Sequence, residues 1–568
     1  MKVFTFKIGG PAGAGITSAG LMFSKIAARS GYYVFDYMEY PSIIRGGHNV
    51  MQTSVSDEPI ATQLQSTEFL VALNQETADR HVGELAKSGV MLYDTDENIV
   101  VKKVPTGAIA LGLPLHNLAK RSAGNIIVIN TVALGASLYL LGGDLKYLQD
   151  LLSEQFLEKG EKVLRQNLNA ASLGFKYAQD NFSKYITLRL TKRKGKSPAL
   201  VINGNEAAAL GSIAAGLQFA SIYPMTPTSN ILQILAPLQQ EFGFIYKQPE
   251  DEISAINMAI GASFAGARAM TATSGGGFCL MAEGLGLAGM TETPVVIIVG
   301  QRPEPATGLP TWTEQGDLRF VLHAHQGDFP RLVLAPGDVT ETFHLTMQAF
   351  NLADKYQTPV VVLIDKQICE GHEGVSPFNY AKYRVDRGKF TTKKVANYKR
   401  YALNTDGISR RAPAGSGNHV IANSDEHTVF GYSSEESSVR QEQMKKRMQK
   451  LITCEQKDMP APTLYGPAKA DLTIVSWGSN KGAILTALKE CPGVNFLHLT
   501  WLNPFPTAAV AKILGKAKKV LNIEANYTGQ LGGLITEKTG LVLEHNFLKY
   551  DGRPFYPEEI INKVKELL

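Results

Sequence analysis

The chain has 568 residues, a length that accommodates about three or four domains of ordinary size. Hydrophobic residues make up 44% of it, which predicts a globular, soluble protein with large cores. With 57 basic against 52 acidic side chains the net charge is only +5, so the overall charge gives no reason to expect nucleic-acid binding, although it still allows a local acidic partner.

The first predicted domain covers residues 1–190. An apolar strand over Val3–Ile8 leads into the Gly-rich loop GGPAGAG and then into a helix from Ile16 to about Arg29. A Gly-rich turn between a strand and a helix presents backbone N–H groups and the positive end of the helix dipole to an anion. Gly13 and Gly15 are therefore candidate anion-binding residues.

A second loop of this domain, YPSIIRGGHN, supplies the cation of Arg45 and the imidazole of His48 between glycines that allow a ligand to approach the backbone. Two alternatives stay open. His48 could be a hydrogen-bonded turn residue, and the first loop could be a structural turn or part of an NAD(P) site. The dinucleotide fingerprint is incomplete, because Ser18 occupies its third glycine position and no Walker lysine follows.

An uncharged segment from Ile126 to Gly143 has nearly the length of a membrane span. Asn130, Thr131 and several glycines interrupt it, so we predict a strand followed by a helix start and no membrane association. The chain begins with a short strand and a Gly-rich loop rather than a continuous apolar segment, which argues against a signal peptide. A cytoplasmic location is the expectation that follows.

Helical periodicity over Leu145–Asn181 closes the first domain. Beyond it the pattern changes three times, from a basic run rich in breakers to α/β patterning, then to a charged stretch with few long apolar runs, then to α/β patterning again. The predicted boundaries are a linker at 191–198, an α/β domain at 199–375, a connector at 376–462 and a last α/β domain at 463–568. Within them we expect a helix over Ala207–Ala220 and a helix with a solvated, charged face over Glu435–Lys450.

The most informative stretch lies between Tyr223 and Thr311. Polar loops follow short apolar runs there, for instance after Pro294–Gly300, and such a run bounded by turn residues is typical of a buried parallel strand. In an open α/β sheet the ligand crevice lies at the carboxyl ends of the strands, so these loops are expected to converge. The loops are YPMTPTS, PEDE, TATSGGG and QRPEPATGLPT.

Three side chains in these loops suit substrate or cofactor chemistry. Prolines on both sides hold Thr226 in a stiff turn that can position a polar ligand. Glu252 starts a helix of small and apolar residues, where a partly buried carboxylate can exchange a proton with a cofactor ring nitrogen. Arg302 offers a planar fork for a substrate carboxylate. Each also has a simpler interpretation, as a turn former, a helix-dipole charge or a rim cation.

In this order and spacing, the four motifs resemble the α subunit of 2-oxoacid:ferredoxin oxidoreductases, in the form with a γ domain fused ahead of the α domain. The resemblance covers nearly the whole chain. It implies that Glu252 contacts the aminopyrimidine ring of thiamine diphosphate and that Thr226, Arg302 and Thr311 hold the 2-oxoacid, with Glu252, Thr226 and Arg302 as the catalytic set. Further cofactor contacts are implied for Tyr223, Pro224 and Ser274.

Two departures from the family's motifs accompany the resemblance. The family's Thr-Ser-Gly-Pro-Gly has Gly276 in place of proline. Its Gly-Gly-Pro-Ser-Thr after the arginine is PEPAT here, at residues 303–307. The second departure adds an acidic side chain, Glu304, and removes a hydroxyl beside the presumed substrate, which bears on substrate preference.

The sequence also indicates what another chain must supply. Thiamine enzymes bind the diphosphate and Mg²⁺ through a Gly-Asp-Gly motif, which does not occur here. The four cysteines are far apart and include no C-x-x-C pair, so we expect neither an iron–sulfur cluster nor a zinc site in this chain. Their scarcity fits a reducing compartment. The resemblance implies a β subunit that carries the diphosphate site, Mg²⁺ and a [4Fe–4S] cluster.

The predicted fold is therefore a multidomain α/β protein with a γ-type domain, a thiamine pyrimidine-binding domain and a transketolase C-terminal-like domain. The predicted function is CoA-dependent oxidative decarboxylation of a 2-oxoacid, 2-oxoglutarate or pyruvate-like, to acyl-CoA, CO₂ and reduced ferredoxin, in a heterodimer or heterotetramer. The γ-type loops are associated with coenzyme A in the family. The alternatives are a non-oxidative thiamine-dependent transferase subunit, a non-catalytic scaffold subunit and the NAD(P) enzyme mentioned above.

Overall fold

The computed structural model describes residues 3–42, 47–186, 190–193, 198 and 200–568. The chain divides into two compact units, each described by itself here. Unit 1 comprises Met1–Ile202, Gly371–Pro377 and Tyr556–Glu558, and unit 2 comprises Asn203–Glu370, Phe378–Phe555 and Glu559–Leu568. Half of the predicted linker, residues 194–197, lies outside the described residues.

The described chain alternates strands and helices along most of its length. The strands are β1 (Val3–Pro11), β2 (Tyr33–Glu39), β3 (His48–Ser56), β4 (Thr67–Ala72), β5 (Leu85–Asp94), β6 (Ile109–Leu113), β7 (Leu200–Asn203), β8 (Phe219–Ser221), β9 (Ile245–Lys247), β10 (Ala269–Ser274), β11 (Val295–Gln301), β12 (Leu332–Leu334), β13 (Pro359–Asp365), β14 (His372–Val375), β15 (Thr463–Tyr465), β16 (Leu472–Trp477), β17 (Val494–Leu499), β18 (Trp501–Asn503), β19 (Val520–Glu524) and β20 (His545–Leu548).

The helices are α1 (Ile16–Arg29), α2 (Gln75–His81), α3 (Leu115–Ala123), α4 (Ile129–Leu140), α5 (Leu145–Phe156), α6 (Glu161–Phe182), α7 (Gly204–Ala214), α8 (Ser229–Phe242), α9 (Glu252–Phe264), α10 (Gly275–Met290), α11 (Leu318–His323), α12 (Val339–Tyr356), α13 (Lys366–Glu370), α14 (Ser437–Lys457), α15 (Asn480–Leu488), α16 (Thr507–Leu514), α17 (Gln530–Thr539) and α18 (Pro557–Leu567). Short 3₁₀ turns at Val82–Glu84, Leu157–Lys159 and Ser183–Tyr185 complete the set.

Unit 1 is built on an eight-stranded sheet in the order β6-β5-β4-β1-β3-β2-β14-β7. Strand β1 is antiparallel to β3 and parallel to β4. Successive side chains of a strand point to opposite faces, and β4 follows this rule: Phe69 and Val71 belong to the large core of the unit, Leu70 and Ala72 to a smaller one. The strand, Gly-rich turn and helix predicted at the N-terminus are confirmed, with β1 running on to Pro11.

The prediction of a strand at the start of the segment from Ile126 to Gly143 is wrong. This segment forms α4, a largely buried helix that packs on α6. Two glycines allow α4 and α6 to pack closely. A Cβ on Gly135 would collide with the backbone of α6, and a Cβ on Gly174 would collide with the backbone of α4. The small residues that suggested a break in a helix instead allow two helices to touch. In the described ranges, no helix is long and apolar enough to cross a membrane.

Unit 2 contains two sheets. The larger is seven-stranded, in the order β18-β12-β13-β11-β10-β8-β9, and is parallel from β12 to β9, with β18 antiparallel at its edge. The smaller is five-stranded, in the order β15-β17-β16-β19-β20, and only β15 is antiparallel. One hydrophobic core contains residues of both sheets, including Val299 and Trp477. Both sheets alternate strands with helices along the chain, as the α/β patterning of these segments predicted.

Two predictions in unit 2 need correction. The helix expected over Ala207–Ala220 ends at Ala214, because Gly216 turns the chain with a positive φ of 81° and β8 follows. The charged helix α14 does not present a fully solvated face, since Lys446, Arg447 and Lys450 are all buried. Their charges are paired with the carboxylates of Glu292 and Glu426, which the sequence pattern could not locate.

Candidate active site

The predicted loops converge at the carboxyl edge of the seven-stranded sheet. In the register of its central strands, Ser274 of β10 pairs with Gly300 of β11, and Gln301 pairs with Asp365 of β13. The chain segments that leave β8, β9, β10 and β11 therefore emerge at neighbouring points on one edge. This is the position at which open α/β sheets bind ligands.

Glu252 lies at the first position of α9, and its side chain is turned inward. Asp251 caps this helix by accepting a hydrogen bond from the Ser254 backbone N–H at 2.7 Å. Glu252 is only 2% exposed, and its Oε1 has no hydrogen-bond partner in the described structure. Burial raises the pKa of its carboxyl, opposed by a backbone hydrogen bond and assisted by the negative charge of Asp251. A buried carboxyl with a raised pKa is suited to proton exchange near neutral pH.

The surroundings of Glu252 fit a polar ring. A Cβ built on Gly277 would lie 2.6 Å from Glu252 Oε1 and would collide with the Thr273 hydroxyl, so only glycine leaves this space open. The hydroxyls of Thr271, Thr273 and Ser274 are buried at the end of β10 without hydrogen-bond partners in the described structure. Buried polar atoms are normally paired. A ligand with donors and acceptors of its own, such as an aminopyrimidine, would pair the Glu252 carboxyl and the nearby Thr273 hydroxyl.

Arg302 joins the loops that follow β8 and β11. Its Nη1 donates to the Thr226 carbonyl oxygen at 2.9 Å. Its Nε is buried without a hydrogen-bond partner, at a distance of 3.7 Å from Glu304 Oε1, and the whole residue is 7% exposed. The guanidinium therefore contacts the backbone of Thr226 and leaves the half-buried hydroxyl of that residue available to a ligand.

The loop that follows this arginine carries three carboxyl groups that interact electrostatically with one another: Glu304, Glu314 and Asp317. With Arg302 they form what we call the acidic loop cluster. Burial raises the pKa of Glu314 to about 7, with a further contribution from Glu304. Burial raises the pKa of Asp317 to about 8, assisted by Glu304 and Glu314 and opposed by Arg302. Sequence reasoning missed Glu314 and Asp317 as site residues, although three acids within a Pro/Gly-rich loop after an arginine were a usable signal.

The five-stranded sheet holds this loop in position. Gln315 is fully buried, and its Nε2 donates to the Trp477 carbonyl oxygen at 2.9 Å. Its Oε1 accepts hydrogen bonds from the Asn480 side chain at 2.8 Å and from the Ala525 backbone at 3.0 Å. Asn526 completes the attachment through the Gln315 carbonyl. The last domain thus orients the loop between Arg302 and Asp317, a role that the sequence did not indicate.

The remaining predicted residues of unit 2 differ in position. Thr311 is buried in the same loop as Arg302, and Ser274 is buried at the end of β10. Tyr223 is half-buried and Pro224 exposed on the loop after β8. The structure thus brings Glu252, the end of β10, Arg302 and the backbone of Thr226 to one edge, and leaves Pro224 at the surface.

The Gly-rich loop of unit 1 borders a separate cavity of about 590 Å³. Gly13 and Gly15 contribute to its wall, and both adopt positive φ angles, of 87° and 71°. Apolar side chains such as Ile127 and Phe156 line much of it, and Lys159 and His116 supply polar groups. A mostly apolar cleft beside a Gly-rich turn suits a ligand that combines an anionic group with an apolar part.

His48 lies outside the wall of this cavity, and Arg45 lies outside the described residues. The His48 ring is buried, and its Nε2 is 2.8 Å from Nε2 of His81, so one imidazole donates to the other. His81 Nδ1 in turn contacts Glu84 Oε1 at 2.9 Å, and Glu84 pairs with Lys7. Burial, together with the charges of His81 and Arg80, lowers the pKa of His48 to about 4. His48 is therefore neutral at pH 7 and belongs to a buried polar chain.

The thiols give no sign of a cluster in the described structure. Cys279 is exposed, whereas Cys369, Cys454 and Cys491 are buried, and all are free. No group of three or more His, Cys, Asp or Glu side chains within the described ranges is arranged to hold a metal ion.

Comparison with known proteins gives a consistent result along the whole chain. Residues 5–177 match the family model for pyruvate ferredoxin/flavodoxin oxidoreductase, and residues 210–446 match the thiamine-diphosphate-binding model of pyruvate flavodoxin/ferredoxin oxidoreductase. The 2-oxoacid:ferredoxin oxidoreductase subunit alpha of Saccharolobus solfataricus is 33% identical, over 99% of this chain and 98% of that protein. The 2-oxoglutarate oxidoreductase subunit KorA of Mycobacterium tuberculosis is 30% identical, over 99% of this chain and 91% of its own length.

A solved structure resembles the whole chain. The 2-oxoglutarate:ferredoxin oxidoreductase from Magnetococcus marinus, with 2-oxoglutarate, coenzyme A and succinyl-CoA bound, superposes with a TM-score of 0.94. The two sequences are 32% identical, and the match covers 100% of this chain and 99% of that one.

Proposed function

The chain belongs to the α subunits of the 2-oxoacid:ferredoxin oxidoreductases, in the form with a fused N-terminal γ-type domain, and we propose that it catalyses CoA-dependent oxidative decarboxylation of a 2-oxoacid together with a β subunit. The products are acyl-CoA, CO₂ and reduced ferredoxin. The observation that carries the proposal is the buried Oε1 of Glu252 beside Gly277, which has no hydrogen-bond partner among the described residues, at the edge where Arg302 also lies.

Glu252 holds the cofactor side of the site. Thiamine diphosphate, when bound, supplies the carbanion chemistry that decarboxylation of a 2-oxoacid requires. The Glu252 carboxyl would hold or release a proton at a ring nitrogen of its aminopyrimidine, and burial raises the pKa of this carboxyl, the direction that favours such an exchange. Ser274, Tyr223 and Pro224 are proposed as further contacts to the cofactor.

The substrate is bound by three residues, Arg302, Thr226 and Thr311. The guanidinium binds the carboxylate of the 2-oxoacid, and the Thr226 and Thr311 hydroxyls orient its carbonyl end. The hydrogen bond from Arg302 to the Thr226 carbonyl supports this assignment, because it fixes the guanidinium beside Thr226, whose hydroxyl is proposed to contact the same substrate.

A β subunit is required in this proposal for two reasons. The sequence has no Gly-Asp-Gly motif for the diphosphate and Mg²⁺, and its four cysteines lack the spacing of a [4Fe–4S] ligand set. The complex is proposed as a cytoplasmic heterodimer or heterotetramer that donates electrons to ferredoxin. For coenzyme A, the cavity bordered by Gly13 and Gly15 supports a site in unit 1, since it offers an apolar cleft beside a Gly-rich turn.

The test is reduction of methyl viologen by the complex of this chain with its β subunit, across a panel of 2-oxoacids, with and without CoA. We expect CoA-dependent turnover with at least one acid. Glu252→Gln removes the exchangeable carboxyl but keeps its shape, and should lower kcat at least about 100-fold. Glu250→Gln, an exposed neighbour on the same loop, is the matched control and should leave kcat unchanged.

Three other results would replace the proposal. Turnover that survives Glu252→Gln would indicate a scaffold role for this chain. Aldehyde or ketol transfer by a complex without iron would favour a non-oxidative transferase. Nicotinamide reduction with saturable NAD(P) binding would favour a dehydrogenase built on the Gly-rich loop.

A further inference from the structure

The two positions at which this sequence departs from the family's motifs meet in one hydrogen bond. The backbone N–H of Gly276, at the start of α10, donates to Glu304 Oε1 at 3.0 Å. The family has proline at the first position, and proline has no N–H to donate. It has glycine in the Gly-Gly-Pro-Ser-Thr segment where Glu304 stands, and glycine has no carboxylate to accept. In this chain the two departures together anchor a carboxylate at the N-terminus of α10.

The same carboxylate faces the substrate arginine. Glu304 Oε1 is 3.7 Å from Arg302 Nε, which has no hydrogen-bond partner in the described structure. Burial raises the pKa of the Glu304 carboxyl, whereas the Gly276 backbone N–H at the helix N-terminus and the Arg302 guanidinium oppose this shift and favour its ionised form. Glu304 thus adds a negative charge to the side of the site where a substrate carboxylate is expected to bind.

The carboxyl groups of Asp317 and Glu314 lie near Glu304 and add to the negative charge around it. A Cβ built on Gly275 would collide with the carboxyl oxygens of both Glu304 and Asp317, so the two groups approach the same point from two sides. Glu314 also acts on Glu304 electrostatically. The acidic loop cluster therefore contains three carboxyl groups and one guanidinium, and when Arg302 binds the first carboxylate of a substrate no cation of the cluster is left for a second.

We propose that Glu304 is a specificity-determining residue that selects 2-oxoacids with an uncharged side chain and disfavours 2-oxo diacids such as 2-oxoglutarate. The proposal rests on the proposed function, because it takes Arg302 as the site of the substrate carboxylate. The second carboxylate of a small 2-oxo diacid stays within about 10 Å of Glu304, which is about one Debye length at 0.1 M salt, and charges that are partly buried are screened less than exposed ones. Inside a buried site the repulsion is stronger.

The first experiment compares kcat/KM for 2-oxoglutarate and 2-oxobutyrate in the assembled complex. The wild type should prefer 2-oxobutyrate. Glu304→Gln keeps the size of the side chain and removes its charge, so the 2-oxoglutarate to 2-oxobutyrate ratio should rise at least about tenfold. Glu304→Gly combined with Gly276→Pro restores the family's residues at both positions and should raise the ratio as well. Glu283→Gln, an exposed residue on α10 itself, is the matched control and should leave the ratio unchanged.

The second experiment measures binding without turnover. Succinylphosphonate and propionylphosphonate are analogues of the two acids that cannot lose CO₂, and their Kd values for the complex with thiamine diphosphate can be measured by calorimetry. We expect the wild type to bind propionylphosphonate more tightly than succinylphosphonate. Glu304→Gln should reduce the ratio of the succinylphosphonate Kd to the propionylphosphonate Kd about tenfold.

The two experiments separate the proposals. A complex that turns over no acid contradicts the proposed function, and the phosphonate Kd ratio still decides the role of Glu304. A wild type that prefers 2-oxoglutarate, or ratios that stay within twofold after Glu304→Gln, would overturn the specificity role while leaving the decarboxylation proposal intact. A complex that binds neither phosphonate would overturn both.

Discussion

Helix α10 has a charged cluster at each end, and the two are opposite in character. At its N-terminus lies the acidic loop cluster, with three carboxyl groups and one guanidinium. Just beyond its C-terminus lies what we call the buried lysine cluster, in which the single carboxylate of Glu292 is surrounded by Lys446, Lys450 and Arg400. Both arrangements suit the helix dipole, which favours negative charge at the first end and positive charge at the second.

The two clusters differ in how completely their charges are paired. Lys450 Nζ lies 2.6 Å from Glu292 Oε2 in an ion pair that lacks hydrogen-bond geometry, Lys446 pairs with the other oxygen, and Arg400 donates to the Glu292 carbonyl at 2.7 Å. Although burial alone would raise it, these cations hold the pKa of Glu292 well below its usual range. In the acidic loop cluster, Asp317 Oδ2 and Arg302 Nε have no hydrogen-bond partners in the described structure.

The difference between the two clusters distinguishes a structural from a functional set of charges. Charges that are fully paired hold one element against another, here α14 against the turn after α10. Incompletely paired groups remain available to a ligand, a proton or a second chain, and such groups are typical of functional sites. The account therefore predicts that the two clusters respond differently to mutation, one in stability and the other in catalysis.

The largest effect should come from Glu292→Gln. Removing the only carboxylate leaves two lysines buried without their counter-charge, a change that typically costs about 3–5 kcal/mol of unfolding free energy. Urea unfolding of the chain measures it, and Glu435→Gln, an exposed residue ahead of α14, is the control. A loss within the error of the control would contradict the structural role of this cluster.

The next effect is that of Arg302→Lys. An ammonium cannot make the backbone contact to Thr226 and bind a carboxylate at two points as well, so kcat/KM should fall about 100-fold or more. The melting temperature should change little. Arg319→Lys, in an exposed pair with Glu537, provides the comparison. An unchanged kcat/KM would remove Arg302 from the substrate site.

A smaller effect measures the contribution of the Gly276–Glu304 hydrogen bond to the free energy of unfolding. A Cβ at position 276 meets no atom nearer than 3.8 Å, and proline is tolerated in the first turn of a helix, so Gly276→Pro removes the N–H with little steric cost. It should destabilise the wild type by about 1–3 kcal/mol, because the Glu304 carboxylate loses its donor. In a Glu304→Gly background the same change should be nearly neutral. Equal costs in the two backgrounds would show that the hydrogen bond contributes nothing.

The smallest effect concerns pH. Carboxyl groups with raised pKa values are neutral below those values, and Glu314 and Asp317 ionise near pH 7 and 8. Between pH 6 and 9 the site thus becomes more negative around Glu304 and Arg302. The 2-oxoglutarate to 2-oxobutyrate ratio of kcat/KM should fall about threefold over this range. Asp317→Asn should flatten the profile, and a ratio that rises with pH would contradict the assignment.

Much of this molecule could be predicted from its sequence, for reasons that particular elements illustrate. Strands β11 and β13 are continuous apolar runs bounded by turn residues, and α1 follows a Gly-rich loop, so local pattern and tertiary structure agree. The loops that follow β8, β10 and β11 could be assigned to one edge because parallel strands align their carboxyl ends. Glu252 and Arg302 stood out on this basis.

What could not be predicted depends on contacts between distant segments. The interpretation of α4 failed because its glycine, Gly135, allows close packing against α6 rather than a turn. Lys446 and Lys450 looked like solvated charges because their partner, Glu292, lies about 150 residues earlier. Asp317 was missed because its place beside Gly275 depends on how the long loop is anchored by Gln315.

The most direct test of the account compares Glu252→Gln and Glu292→Gln in the assembled complex, with viologen reduction at 25 °C and melting temperature measured on the same preparations. The account predicts that Glu252→Gln loses turnover at least about 100-fold with an unchanged melting temperature. It predicts that Glu292→Gln melts lower but keeps its turnover while folded. Retained turnover in Glu252→Gln, or loss of turnover in both variants in proportion to their loss of stability, would contradict the assignment of the catalytic centre to the carboxyl edge of the seven-stranded sheet.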